Sequence, residues 1–212
     1  RRPVFQAGVP PDYFSATGQL WGNPLYHWEV HRETRFAWWT ARVRRALSQV
    51  DWVRLDHFRG FEAAWHVPAG AATAEKGEWR SGPGAQLFHS LRQQLGRLPF
   101  IAEDLGLITP QVDALRQEFG FPGMRVLQFA FGGAVEERFL PHHYDRLTVV
   151  YTGTHDNETT LGWYRGLNEV ERRNYRQYVP DAGEGPVWEM VRLAWASVAF
   201  WAIAPLQDIL GL

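Results

Sequence analysis

Two hydrophobic patterns alternate along the chain: apolar residues at helical spacing, and short unbroken apolar runs. Phe36, Trp39, Val43, Ala46, Leu47 and Val50 recur as one face of a helix, which predicts a helix over 33–50. A short run then predicts a strand over 52–58. After a Gly- and Pro-rich stretch to Gly84, helical spacing returns over 86–95. The segment PFIAE predicts a second strand, 99–103. Thr109–Pro110 then supplies an N-cap followed by proline at the first helical position, opening a helix over 111–119. Gly120 should close it, because glycine tolerates the left-handed backbone found at many helix ends. Further strands are predicted over 125–131 and 147–152. Helices follow around 158–164, 169–178 and 186–199, and a last strand begins over 201–206.

Strands alternating with helices at this spacing call for βαβ crossovers and a parallel sheet, so the expected fold class is α/β. The pattern yields four to five β/α units, short of a complete barrel of about 250 residues. Half a barrel leaves edge strands and an inner face without partners, so the chain reads as cut at both ends. Residues 1–31, rich in Gly, Pro and aromatic rings without a sustained period, read as an ordered loop or lid.

Composition narrows the function. A net charge of −1 argues against nucleic acid or an anionic membrane as partner, since both attract basic surfaces. The chain has no cysteine, which removes disulfides and thiolate metal sites and fits a reducing, cytoplasmic setting. No apolar stretch of about 18 residues is present to span a membrane, and no signal peptide opens the chain. The unusual feature is aromatic content, 15% with 11 Trp. Some of these rings fill the core. Others suit a sugar-binding cleft, where pyranose C–H faces stack on electron-rich rings.

Three predicted strands end in acidic, polar clusters, which is where the active sites of parallel barrels lie. In WVRLDHFRGFEAAW, strand alternation puts Arg54 and Asp56 on one side, so the guanidinium would keep the carboxylate ionised as a nucleophile must be. In PFIAEDLG, Glu103 leaves an apolar strand, a setting that raises a carboxyl pKa and suits a general acid, while Asp104 points the other way. In VVYTGTHDNETT, His155 and Asp156 leave the strand and Asn157 begins the loop. Singly, an acid after a strand is more often a helix cap or loop residue, and Arg54 with Asp56 could be a plain ion pair. Their conjunction on successive strand ends is harder to obtain by accident.

The segments RLDHFRGFEAAW, IAEDLG and YTGTHDNETTLGWY, with GVPPDYFSATGQLWGNPLYHW upstream, resemble the signature segments of amylomaltases, glycoside hydrolase family 77. The likeness runs over essentially the whole chain. It implies an incomplete (β/α)8 TIM barrel, roughly strands 4 to 8. Residues 1–212 would be part of one catalytic domain, with 1–32 a substrate-lining segment within it. It further implies Asp56 as nucleophile, Glu103 as general acid/base and Asp156 as transition-state stabiliser, with Arg54 supporting the nucleophile and His155 binding sugar hydroxyls. Asp12, Tyr13, Phe14, Gln19, Trp21, Asn23 and Pro24 match a loop that lines the sugar subsites. His57 lies near the nucleophile, with a buried, satisfied core histidine as the equal alternative.

The implied reaction is 4-α-glucan transfer between maltooligosaccharides and other α-1,4-glucans by double displacement, with net retention, for which the Asp56 and Glu103 carboxyls should lie ~5–5.5 Å apart. It requires no metal or organic cofactor. An α-glucan hydrolase using the same residues, or a glucan-binding fragment, stands as the alternative.

Overall fold

The computed structural model describes residues 3–12, 15–132 and 137–212. The chain divides into two compact units, Arg1–Phe121 and Pro122–Leu212.

In the first unit β1 (Phe5–Val9) and β2 (Gln19–Leu20) lead into α1 (Trp28–Glu33) and α2 (Ala37–Leu47). Strand β3 (Val53–Leu55) follows, then a 3-10 turn, β4 (Ala63–Pro68), β5 (Glu78–Ser81), α3 (Ala85–Leu95), β6 (Phe100–Ala102) and α4 (Pro110–Glu118). Strands β3 and β6 pair in parallel, with Val53 opposite Phe100, Arg54 opposite Ile101 and Leu55 opposite Ala102. The helices turn their periodic faces inward: Trp39 and Val43 from α2, Leu87, Phe88 and Leu91 from α3, Val112 and Leu115 from α4. These pack on Phe58, Phe100 and Phe121, with Phe88 against Phe58, Phe61, Phe100, Phe119 and Phe121. Each fully buried ring of this kind contributes about 1.5–3 kcal/mol of transfer free energy. Gly120 takes φ 67° just past α4, as a closing glycine should.

The second unit carries β7 (Gly123–Val126), β8 (Thr148–Tyr151), α5 (Thr160–Gly166), α6 (Glu169–Tyr178), α7 (Pro186–Trp195), β9 (Trp201–Ile203) and α8 (Leu206–Ile209). Strand β8 pairs in parallel with β7 on one side and β9 on the other. Helix α6 opens with a capping box, Asn168 accepting from Val170 N and Glu171 N while Glu171 reaches back to Asn168 N.

The α/β class with parallel strands stands. Several local expectations are corrected. The N-terminal stretch is partly β-structure: β1 and β2 join β4 and β5 in an antiparallel sheet of order β2-β1-β4-β5. The Gly- and Pro-rich stretch before Gly84 supplies the other two strands. The expected strands over 52–58 and 125–131 end early, and Phe58–Phe61 and Leu127–Phe131 coil into 3-10 turns. Those turns remain apolar because they stay buried, and a short buried run has no period to separate strand from coil. The helix expected over 33–50 forms as α2 alone, beginning at Ala37 after Arg35 and Phe36 at positive φ, while α1 lies almost wholly within the stretch expected to be loop.

Candidate active site

The register of β3 on β6 places Asp56 and Glu103 one step past the last paired rung, where both strands leave the sheet at their C-terminal ends. The strand tips stay tied there: Glu103 N donates to Leu55 O at 3.0 Å and Phe58 N to Glu103 O at 3.0 Å. Adjacent strands lie about 4.8 Å apart, so this register brings the two carboxyl-bearing residues side by side.

Their environments differ. Asp56 is exposed and accepts a hydrogen bond from Arg54 Nη1 at 2.7 Å, the pairing that strand alternation predicts. Glu103 is half-buried, and its two carboxyl oxygens each accept one backbone N–H, from His57 at 2.7 Å and Leu105 at 2.8 Å. Burial raises its pKa above the ordinary 4.5; the two N–H bonds and Arg54 pull it back, and Asp56 adds to the rise. A carboxyl of this kind keeps its proton to higher pH, as a general acid needs.

His57 joins the two acids. It holds a left-handed backbone, φ 46°, ψ 57°, uncommon for residues other than glycine although His, like Asn and Asp, adopts it more readily than most, and its N–H bonds Glu103. Of the two readings of His57, the satisfied core histidine does not hold. Its Nε2 is closed off from solvent and has no hydrogen-bond partner among the described residues. Burial lowers its pKa from 6.5 to about 4, so the ring is neutral near neutral pH. Trp21 meets it edge-on with ring centres 4.7 Å apart.

A cavity of about 840 Å³ opens beside these residues, lined by Arg54, Asp56 and His57 with Trp21, Asn23 and Pro24 from the N-terminal segment. Tyr26, Trp28, Trp39 and Arg42 also line it, though none of them was read from sequence as a site residue, Trp39 being taken only as part of a helix face. Their signal was the density of aromatic rings between Trp21 and Trp39. Tyr26 packs at 5.0 Å from Trp28 and 5.1 Å from Trp39, forming an apolar wall with exposed edges. Asp12 and Gln19 are not among the lining residues. Asp12 accepts from Ser15 N at 3.0 Å and so holds a local turn, and Gln19 accepts from Trp21 Nε1 at 3.2 Å. Tyr13 and Phe14 lie outside the described residues.

In the second unit, Asp156 and His155 stand on the loop between β8 and α5, both side chains about three-quarters exposed, with His155 Nε2 3.4 Å from Asp156 Oδ2. Asn157 folds that loop by accepting from Thr154 N at 3.0 Å and Thr154 Oγ1 at 2.7 Å.

Fold and site define a class, an α/β protein with carboxyl groups just past the C-terminal ends of parallel strands. The model of glycoside hydrolase family 77, described as 4-alpha-glucanotransferase, matches residues 3–212. The 4-alpha-glucanotransferase of Synechocystis is 56% identical over 212 residues, covering 99% of this chain and 42% of that protein. That of Thermus thermophilus is 51% identical, covering 100% and 44%. A solved structure, amylomaltase from Streptococcus agalactiae in complex with acarbose, matches with a TM-score of 0.93 at 38% identity, covering 99% of this chain and 43% of that one. The chain therefore belongs to the 4-alpha-glucanotransferase family, glycoside hydrolase family 77. It spans less than half the length of these relatives.

Proposed function

We propose that the protein containing this chain transfers α-1,4-glucan segments between maltooligosaccharides by a retaining double displacement, with Asp56 as nucleophile, Glu103 as general acid/base and Asp156 stabilising the transition state. The observation that carries the reading is the contrast at the joined tips of β3 and β6. An exposed carboxyl paired with Arg54 stands beside a half-buried carboxyl of raised pKa. An exposed, arginine-paired carboxyl beside a half-buried one that holds its proton is the division of labour that glycoside transfer needs.

In the first step Glu103 gives its proton to the glycosidic oxygen as Asp56 attacks the anomeric carbon. The bond to the leaving glucan breaks with its electrons on oxygen, a free 4-hydroxyl departs, and a β-linked glycosyl ester on Asp56 remains. In the second step an acceptor 4-hydroxyl passes its proton to Glu103 and attacks the same carbon, displacing Asp56 and restoring an α-1,4 bond. Trp21, Asn23 and Pro24 are the residues we assign to sugar subsites, with Asp156 and His155 binding sugar hydroxyls near the cleavage point. Transfer prevails over hydrolysis when an acceptor hydroxyl, rather than water, reaches the intermediate. This reading makes residues 1–212 part of one (β/α)8 catalytic domain in a cytoplasmic enzyme of α-glucan metabolism, with its N-terminal residues lining the substrate.

The test is a maltotriose time course with the full-length protein and its Asp56→Asn variant, resolving every oligomer. The expected result is glucose plus oligomers longer than maltotriose, lost in the variant. Shorter products alone make the protein a hydrolase, no turnover makes it a binder, and an unchanged ladder in Asp56→Asn removes Asp56 as nucleophile.

A further inference from the structure

We propose that Asp208, on α8, is a positioning residue for the loop that carries Asp156. The inference rests on the role given to Asp156 above.

Strand β8 runs out into Thr152, and α5 begins at Thr160; both residues are fully buried, and the loop between them presents His155 and Asp156. Asp208, far along the chain and 1% exposed, closes the two stems onto one carboxyl. Thr152 Oγ1 donates to its Oδ2 at 2.6 Å, Thr160 Oγ1 to the same oxygen at 2.7 Å, and Thr160 N to Oδ1 at 2.8 Å. Capping α5 does not require this arrangement, because Thr159 Oγ1 already accepts from Gly162 N at 3.2 Å. What Asp208 adds is the separation of the stems.

Between the stems the backbone is fixed rung by rung. Asp156 N donates to Thr154 Oγ1 at 3.2 Å, Thr154 is bonded to Asn157, and Gln128 Nε2 donates to Glu158 O at 3.0 Å. By contrast, the Asp156 carboxyl has His155 at 3.4 Å as its close polar contact among the described residues. A carboxyl so little braced takes its position from the backbone beneath it, and the backbone takes its position from the stems. Spreading the stems moves Asp156 without touching it. Displacement of about 1 Å at a reacting centre costs on the order of 10²-fold in rate.

The experiment measures kcat and KM on maltotriose, with thermal unfolding as a control, for Asp208→Ala, Thr152→Val, Thr152→Ser, Asp156→Asn and the Asp208→Ala/Asp156→Asn double variant of the full-length protein. The expected outcome is a fall of about 10²-fold in kcat for Asp208→Ala, well below its unfolding temperature, with KM changed less than about two-fold. Thr152→Val should lose about ten-fold, and Thr152→Ser, which keeps the hydroxyl, should recover it. If Asp208 acts through Asp156, the double variant is no slower than Asp156→Asn alone. A folded Asp208→Ala with parental kcat, or a double variant whose losses multiply, overturns the proposal. Should Asp208→Ala fail to fold, parental kcat in Thr152→Val overturns it equally. Parental kcat in Asp156→Asn removes the role of Asp156 itself, a separate failure visible in that one variant.

Discussion

Glu103, past the end of β6, and Asp156, beyond β8, are both acids with proposed catalytic roles, yet their surroundings have little in common. Glu103 is half-buried and clasped by the N–H groups of His57 and Leu105. Asp156 stands about three-quarters exposed, and the bonds around it hold backbone rather than carboxyl. The first arrangement sets a proton affinity; the second sets a location. A general acid must have its pKa tuned, which requires desolvation. A group that stabilises charge electrostatically needs only to be ionised and in place.

The largest effect expected from this contrast is at Glu103. Glu103→Gln should lower kcat on maltotriose by about 10²–10⁴-fold, the span of general acid–base catalysis. It should also change stability against pH. The raised pKa means that the folded state holds the proton more tightly than the unfolded chain. The stabilisation is therefore full below about 4.5 and is lost as pH rises through the folded value. Chemical denaturation across that window should show this loss in the parent and not in Glu103→Gln. An unchanged profile would mean that burial does not tune this acid.

His57 gives the next effect, of opposite sign. Its folded pKa of about 4 lies below the ordinary 6.5, so its contribution is present above 6.5 and lost as pH falls through about 4. The loss is on the order of 3 kcal/mol in acid. His57→Asn, which tolerates the left-handed backbone without titrating, should flatten this acid limb in denaturation curves. An acid limb that persists in the variant would place the titrating group elsewhere.

Trp21 tests the cavity wall. Trp21→Ala should raise KM for maltotriose by about ten-fold with kcat within about three-fold, the scale of one ring–sugar contact. A kcat loss larger than the KM change would instead mark Trp21 as a support for His57. The smallest effect belongs to Thr159, the cap of α5. Thr159→Ala removes the cap of α5 and should cost about 1 kcal/mol in unfolding free energy with kcat unchanged. Comparable kcat losses for Thr159→Ala and Thr152→Val would erase the distinction between capping the helix and holding the loop stems.

Much of the parallel framework was readable because its signals are local. Helix α6 over Glu169–Tyr178 coincides with its expected bounds, and α3 and α4 fall within a residue of theirs. Each has an apolar stripe and a start or stop signal in its own residues. The pairing of Arg54 with Asp56 was legible for the same reason, two residues apart on one strand. The antiparallel sheet was not. Strand β1 pairs with β4 some sixty positions away, Phe5 opposite Pro68, and β5 is exposed along its whole length. A strand with no buried face has no alternation to display.

Determined by the sequence alone, then, were the α/β class, the apolar strands that end in acids, and the family resemblance from which their proposed roles come. Tertiary structure decided the rest: the two backbone donors on Glu103, the His57 Nε2 that has no partner among the described residues, the aromatic wall from Tyr26 to Trp39, and the closure of both loop stems on Asp208. The physical reason is the same in each case. Desolvation and hydrogen-bond partnership are properties of what surrounds a group, and the surroundings of Thr152 include a carboxyl that lies fifty-six residues further along the chain.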